Sequence, residues 1–354
     1  MKNILIVTGG SGGHVVPSIS FYEHLENKFS VNIVSDLRGS KFIDSNKFRY
    51  ELIDVPNLFL RPYLLPINIF KYILNIFQSI SFIKKNKTNI LISTGGYMAF
   101  PFCLAAFILK KKVFLFEPNN VLGRSNRFAL KFSTKIICYN ENIKNFPTKY
   151  NFKKVVVEPI LKKEIYNLKK NLISQKKEIK KILIIGGSQG ASFFDKNITE
   201  LMVVISKKQK LDVIQQISNK NNLSSIKNKY DTSNINYKFI EFTNDSHELY
   251  NGIDLAISRG GASTLSELSF LNIPFISIPL PSARDNHQYY NSEFYYKKNC
   301  CWLINQKEFE FKKFSKMIFE IFNDYQNYNE KFKNLAEITK KNTWNNINNK
   351  IIEI

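Results

Sequence analysis

Short apolar runs recur along the chain, each closed by a glycine-rich or acidic turn and several followed by a stretch of helical spacing. Asn3-Ile4-Leu5-Ile6-Val7 is continuous rather than alternating, as expected of a parallel strand buried on both faces. Thr8-Gly9-Gly10-Ser11-Gly12-Gly13-His14 follows as a glycine-rich turn, and Pro17 to Glu26 reads as a helix. Val31 to Asp36 is a second strand, ending in an acid; Asn89 to Ser93, Val113 to Phe116, Ile136 to Tyr139 and Lys154 to Val157 continue the series. Glu158-Pro159 reads as a linker, and Asn167 to Lys181 as an exposed lysine-rich stretch. Lys181 to Ile185 then restarts the pattern, with Gly186-Gly187-Ser188-Gln189-Gly190-Ala191 behind it. Val213 to Gln216, Tyr237 to Phe242, Asp254 to Ile257 and Pro274 to Pro279 are further strands; Phe309 to Phe322 and Tyr328 to Thr339 are helical. The repeat predicts an α/β protein of two similar halves. The expected division is 1–160 and 161–335, with the tail 336–354 crossing back onto the first half.

Two polar clusters carry candidate chemistry in the second half. After the strand at Asp254, Gly260-Gly261 lets the backbone turn and lie close to another group. Ser263 or Thr264 can cap a helix over Leu265 to Leu271, with Glu267 in its first turn. Bare N–H groups at such a start suit an anion. A carboxylate there can accept hydrogen bonds from both hydroxyls of a ribose. The bland alternative is an ordinary strand-turn-helix with a capping glutamate. Arg284-Asp285-Asn286-His287-Gln288, at the end of the next strand, favours the first reading, because neighbouring strand ends of an α/β sheet face one crevice. In the first half, Val15 stands where a dinucleotide fingerprint has its third glycine. A nicotinamide unit would use Asp36 on a ribose; without that glycine, Asp36 reads as a solvated strand end. His14 is either a general base or a helix-capping residue.

Leu58 to Phe82 is the unusual stretch. Pro62 and Pro66 break it, and then Ile67, Phe70, Ile73, Leu74, Phe77 and Ile80 recur at helical spacing. A buried helix is one reading. A membrane-touching surface is the other, supported by Arg61, Lys71, Lys84, Lys85 and Lys87 around it.

Size and charge narrow the classes. The 354 residues suffice for two α/β domains. The net charge of +22 favours anionic partners. The basic residues are scattered with no Arg/aromatic array, so nucleic acid is not an expected partner. Cys103, Cys138, Cys300 and Cys301 form no CxxC pair and no histidine cluster has metal spacing, which points to reduced thiols and no metal. No signal peptide is read at the N-terminus, and Met98 to Leu109, the longest apolar run, is too short to span a bilayer.

Two Rossmann-like halves opening on glycine loops resemble GT-B glycosyltransferases. The motifs Thr8–His14, Ser93-Thr94-Gly95-Gly96-Tyr97, Gly186–Ala191, Arg259–Glu267 and Asp285–Gln288, in this order, resemble the MurG family of peptidoglycan N-acetylglucosaminyltransferases. The resemblance implies a deep cleft between two domains and an inverting transfer of N-acetylglucosamine from UDP-GlcNAc to the C4 hydroxyl of lipid I, without a cofactor, giving lipid II. It implies that Ser11, Gly12 and Gly13 line the cleft near sugar and acceptor, that His14 is the base, and that Asn119 contacts the donor sugar. It implies Ser188 on the diphosphate, the Thr243 backbone on the uracil, Ala262, Ser263, Thr264, Leu265 and Ser266 around the donor, Glu267 on the ribose, and Gln288 on the GlcNAc hydroxyls. It also implies peripheral attachment to an anionic membrane surface, on the cytoplasmic face of the bacterial inner membrane. Two stretches depart from the family: Phe116-Glu117-Pro118-Asn119 replaces His-Glu-Gln-Asn, and Val157-Glu158-Pro159-Ile160-Leu161 replaces Gly-Asn-Pro-Val-Arg. Alternatives are another GT-B UDP-sugar enzyme such as a glycolipid glycosyltransferase or an epimerase, a nicotinamide-binding module, and a catalytically dead homologue.

Overall fold

The structure is a computed structural model that describes residues 1–55, 65–169, 178–187, 191–241 and 246–353. The chain divides into two compact units, 1–163 with 343–354, and 164–342.

In the first unit the elements run β1 (Asn3–Val7), α1 (Gly12–Leu25), β2 (Ser30–Ser35), β3 (Tyr50–Leu52), α2 (Leu65–Lys85), β4 (Ile90–Ser93), α3 (Ala99–Ile108), β5 (Lys112–Glu117), α4 (Arg124–Ala129), β6 (Lys135–Cys138) and β7 (Lys154–Val156). The strands form one sheet in the order β3-β2-β1-β4-β5-β6-β7, every pairing parallel. Leu5, Val7, Leu91, Val113, Leu115 and Ile136 pack with α3 residues Ala99, Phe102 and Ala106 in one apolar cluster. Burial on both faces is why these strands are continuous apolar runs.

The second unit repeats the plan. After α5 (Lys163–Lys169) come β8 (Lys181–Ile185), α6 (Thr199–Ser206), β9 (Leu211–Gln216), α7 (Leu223–Asp231), β10 (Ile235–Ile240), β11 (Leu255–Ser258), α8 (Ala262–Phe270), β12 (Phe275–Ser277), α9 (His287–Lys297), β13 (Cys301–Leu303), α10 (Phe311–Asn323) and α11 (Tyr325–Thr339). The sheet order is β10-β9-β8-β11-β12-β13, again all parallel. Both sheets therefore carry the doubly wound order, which reverses direction beside the first strand. In the first unit that switch point lies between β1 and β4, and in the second between β8 and β11. Loops leaving the carboxyl ends of those strands are where such a sheet binds ligands.

The last helix, α12 (Trp344–Glu353), belongs to the first unit. Its Trp344 stacks on His24 of α1 at 3.8 Å between ring centroids. Asn348 lies 2.5 Å from His24 Nδ1, and Lys350 pairs with Glu158 at 2.7 Å. The His24 ring also meets the Leu161 carbonyl through Nε2 at 3.1 Å, and burial pulls its pKa down to about 4 against those two hydrogen bonds. At neutral pH His24 is thus uncharged and wedged among α1, α12 and the 158–161 segment.

Two elements differ from the sequence reading. Helix α1 begins at Gly12 rather than at Pro17, so the proline does not mark the boundary: it sits inside the helix, in the second turn, with no N–H to give to the Gly13 carbonyl. Asp36 is 1% exposed rather than solvated. Four partners fill its surroundings: the backbone N–H groups of Gly10 and Gly39, the Tyr97 hydroxyl and Arg38.

Candidate active site

In the first unit the switch-point loops meet at His14. Ser11, in extended conformation, is the N-cap of α1, and its carbonyl accepts from the N–H of His14 at 3.0 Å and of Val15 at 3.2 Å. Gly12 is buried, Gly13 exposed and His14 half-buried. The His14 Nδ1 lies 2.9 Å from the carbonyl oxygen of Thr94, in the loop after β4. A carbonyl only accepts, so Nδ1 carries the proton and the basic lone pair resides on Nε2. Gly95 has φ +97, and a side chain there would come within 3.1 Å of the imidazole; only glycine satisfies both conditions. Ser125, at the start of α4, donates to the Gly96 carbonyl at 2.6 Å and fixes this loop from a third side.

Asn119 follows β5 in the same unit. Buried Glu117 accepts from its carboxamide Nδ2 at 2.8 Å, from its backbone N–H at 3.2 Å, and from Gly123 N–H at 2.7 Å. Phe116, which replaces the family's histidine, is fully buried with edge-to-face contacts to Phe21 at 5.0 Å and Tyr139 at 5.4 Å. Leu161, which replaces the arginine, is buried as well.

In the second unit the switch-point loops are Gly186-Gly187 and Arg259-Gly260-Gly261. Gln216, at the end of β9, braces the first: its Oε1 accepts from Gly186 N–H and its Nε2 donates to the Gly187 carbonyl, both at 2.9 Å. Ser188, expected on the diphosphate, lies outside the described residues, as does Thr243, expected on the uracil. Arg259 is buried and braces the second loop, donating to the Ile278 carbonyl at 2.9 Å and to Gln306 Oε1 at 2.6 Å. Burial alone lowers its pKa to about 10, so it stays charged.

Helix α8 starts at Ala262, and its N-cap is Gly261, with no side-chain cap; Ser263 and Thr264 do not cap it. The first-turn N–H groups of Ala262, Ser263 and Thr264 are therefore available to an anion. These three residues are half-exposed, whereas Leu265 and Ser266 are buried. Glu267 stands in the second turn, not the first, because the helix begins three residues earlier than its apolar spacing suggests. It is 7% exposed, and its Oε2 accepts from the buried Tyr250 hydroxyl at 2.6 Å. Gly260 has no room for a side chain: a Cβ would fall 2.2 Å from the Gln288 carbonyl oxygen. That close approach sets the first turn of α9 against the start of α8, with Asn291 Nδ2 donating to the Gly260 carbonyl at 3.0 Å. Gln288 Oε1 accepts from Leu280 N–H at 2.9 Å. Ala262 to Thr264, Glu267 and Gln288 are thus gathered around one loop.

Tyr250, Gln216 and Ser125 escaped the sequence reading. Buried polar residues at strand ends were the available signal for Gln216; Tyr250 and Ser125 have none. Among the described residues, no group of His, Cys, Asp and Glu could hold a metal ion.

A third feature is the outer face of α2. Ile67, Ile69, Phe70, Ile73, Leu74 and Phe77 are exposed, while Asn75 and Ser79 are buried. Ile83 is buried and Tyr72, Ile80 and Phe82 pack on the core, so the helix is apolar on its outer face as well as its inner one, unlike a soluble surface helix, which hides its apolar stripe. Lys71, Lys84 and Lys85 are exposed around it. The reading of a wholly buried helix is overturned for these residues; Leu58 to Leu64, with Arg61, lie outside the described residues. Tyr72 contacts Phe100 at 6.0 Å, and Phe132 touches both Phe100 and Phe107, so aromatic contacts run on to exposed Phe107 and Ile108 beside Lys110, Lys111 and Lys112. No helix among the described residues is long and apolar enough to cross a membrane.

Two doubly wound units with glycine loops and a bare helix start at a switch point define a class of α/β protein that binds phosphate-bearing ligands at the carboxyl ends of its strands. Consistent with that class, the glycosyltransferase family 28 N-terminal domain matches residues 4–138 and the family 28 C-terminal domain residues 181–347. The "UDP-N-acetylglucosamine--N-acetylmuramyl-(pentapeptide) pyrophosphoryl-undecaprenol N-acetylglucosamine transferase" of Pelagibacter ubique is 44% identical across 100% of this chain and 98% of its own length. The transferase of the same name from Rickettsia bellii is 35% identical over 96% of each. Among solved structures, Acinetobacter baumannii MurG superimposes with a TM-score of 0.77 over 100% of both chains at 21% identity, and so shares the GT-B fold. The chain belongs to the MurG family of N-acetylglucosaminyltransferases.

Proposed function

We propose that this chain transfers N-acetylglucosamine from UDP-N-acetylglucosamine to the C4 hydroxyl of the N-acetylmuramyl sugar of lipid I, a pyrophosphoryl-undecaprenol glycolipid, giving lipid II. The 44% identity along the whole chain to a transferase of that name carries the reading. The geometry of the loops supports its mechanism. His14 Nε2 takes the proton of the acceptor hydroxyl as its oxygen attacks the anomeric carbon of the donor. The bond from that carbon to UDP breaks with inversion, through an oxocarbenium-like transition state. Negative charge then grows on the leaving diphosphate, where backbone N–H groups at a helix start stabilise it without reorganising. Glu267 binds the ribose hydroxyls, and Gln288 the hydroxyls of the sugar. The glycine loop at Ser11 to Gly13 and Asn119 serve the sugar and the acceptor.

A polyprenyl-linked acceptor stays in the bilayer, so the enzyme must reach it from the surface. The exposed stripe of α2 with its lysine rim is suited to an anionic membrane, the apolar side chains entering the headgroup region and the lysines facing lipid charge. In a bacterium that surface is the cytoplasmic face of the inner membrane.

The test is transfer of labelled GlcNAc from UDP-GlcNAc to a short-chain lipid I analogue. The parent chain forms the lipid II analogue, and His14→Ala lowers turnover by about two to four orders of magnitude with calorimetric donor binding unchanged. Transfer to other glycolipids but not to lipid I would refute the acceptor. Near-parent turnover by His14→Ala would refute the base.

A further inference from the structure

We infer that Asp36 is a positioning residue for His14, a single buried carboxylate that joins the two loops holding the imidazole. The inference rests on the reading of His14 as the base. Asp36 directly follows β2, beside the switch point. Its Oδ1 accepts from the Gly10 N–H at 2.9 Å and from the Gly39 N–H at 2.7 Å. Its Oδ2 accepts from the Tyr97 hydroxyl and lies 3.6 Å from Arg38 Nε. The Arg38 guanidinium sits 5.2 Å from the centre of the Tyr97 ring.

Two of these partners, Gly10 and Tyr97, lead back to His14. Gly10 belongs to the turn whose next residue, Ser11, caps α1 and accepts from the His14 N–H. Tyr97 lies in the loop whose first residue, Thr94, accepts from His14 Nδ1. The backbone and the ring of His14 are thus held by two segments distant in sequence, and one carboxylate anchors both. The packing around it is closed. A Cβ on Gly9 would meet Asp36 Oδ1 at 2.9 Å and Met98 at 2.8 Å; one on Gly39 would meet Ser35 Oγ at 2.3 Å and Gly9 Cα at 3.0 Å.

The charge is kept. Burial pushes the Asp36 carboxyl up, but the hydrogen bonds from Tyr97, Gly10 and Gly39 and the charge of Arg38 outweigh it, so the net shift is downward. With both oxygens engaged and 1% exposure, the carboxylate cannot serve as a ribose ligand. An asparagine would fit the same space but would set an NH2 group against donors, either the two glycine N–H groups or Tyr97 and Arg38.

The experiment combines kinetics and nitrogen NMR on the full chain. With UDP-GlcNAc and a short-chain lipid I analogue, Asp36→Asn lowers kcat about 10- to 100-fold, as small misplacements of a reacting group do, while the KM for UDP-GlcNAc stays within about twofold. In a His14→Ala background the same substitution changes kcat by less than about threefold, since the two act through one group. A structural role alone would give the same fold-loss in both backgrounds. In a histidine-labelled chain, the His14 ring, assigned by its loss in His14→Ala, shows the Nδ1–H tautomer in the parent and a mixture in Asp36→Asn. That readout is independent of activity, so it tests the anchor even if His14 proves not to be the base. Should Asp36→Asn fail to fold, Tyr97→Phe removes one hydroxyl and reports the same coupling. Equal losses in both backgrounds, or an unchanged tautomer, would overturn the inference.

Discussion

The exposed phenylalanines of α2 give the most direct handle on how this enzyme reaches a lipid substrate. Phe70 is 63% exposed and Phe77 is 64% exposed. Fully burying a phenylalanine is worth about 1.5–3 kcal/mol, so inserting the exposed part of these two contributes roughly 2–4 kcal/mol together. The double variant Phe70→Ser/Phe77→Ser should therefore weaken partition onto vesicles by roughly 30- to 1000-fold. Folding should be unaffected, because neither ring lies in the core, and removing them lowers surface apolarity. The assay is sedimentation with large vesicles of mixed neutral and anionic phospholipid, alongside turnover on a short-chain acceptor in detergent-free buffer. Binding should drop while turnover persists. Replacing Lys71, Lys84 and Lys85 by Glu should act on the other component, removing on the order of 1 kcal/mol per charge and flattening the salt dependence of the remaining binding. Parent-like sedimentation by the double-serine variant would show that the stripe is not the docking surface.

Three further outcomes follow from the loop at Gly261 and the buried histidine. Glu267→Ala should raise the KM for UDP-GlcNAc roughly 10- to 150-fold, the loss expected of a charged acceptor; an unaltered KM would remove Glu267 from the ribose. Tyr250→Phe, which leaves that carboxylate without the hydroxyl at 2.6 Å, should raise the same KM about 2- to 10-fold, and equal KM values would show that the hydroxyl does not orient it. His24 should make the first unit acid-labile. Its folded pKa of about 4 lies below the ordinary value of 6.5, so between them the unfolded chain binds the extra proton; stability is complete above 6.5 and falls by about 3 kcal/mol as pH drops to 4. Urea unfolding followed by Trp344 fluorescence in a Trp302→Phe chain, compared with His24→Gln, isolates this loss, and parallel pH curves would contradict it.

Most of the fold was legible because parallel strands buried on both faces leave unbroken apolar runs, and nearly every such run became a strand. The strands that escaped, β3 and β13, are three-residue edge elements, too short to show a period. The glycine loops and the helix start at Gly261 were legible because close backbone approach demands glycine, as at Gly260 against Gln288. What could not be read was the tertiary filling of polar side chains. Asp36 looked like a solvated end because its partners Tyr97 and Gly10 are 61 and 26 residues away. Likewise, no local pattern announces that Tyr250 reaches Glu267 seventeen residues on. The α2 stripe showed its period, but periodicity alone does not say whether a face turns inward or outward.

The return of α12 to the first unit makes that unit discontinuous, and this bears on how the protein is born. After Lys163 leaves the ribosome, about 180 more residues must be made before Thr343 follows. At synthesis rates of about 5–20 residues per second, that is a wait of roughly 9–36 s. Throughout it, α1 lacks Trp344 and Asn348, and His24 lacks two of the groups that enclose it. The first unit is begun first and finished last, with the second unit free to fold in the interval. A nascent chain stalled between the two would present an unfinished apolar seam, together with the exposed α2 stripe, to chaperones or to the membrane itself.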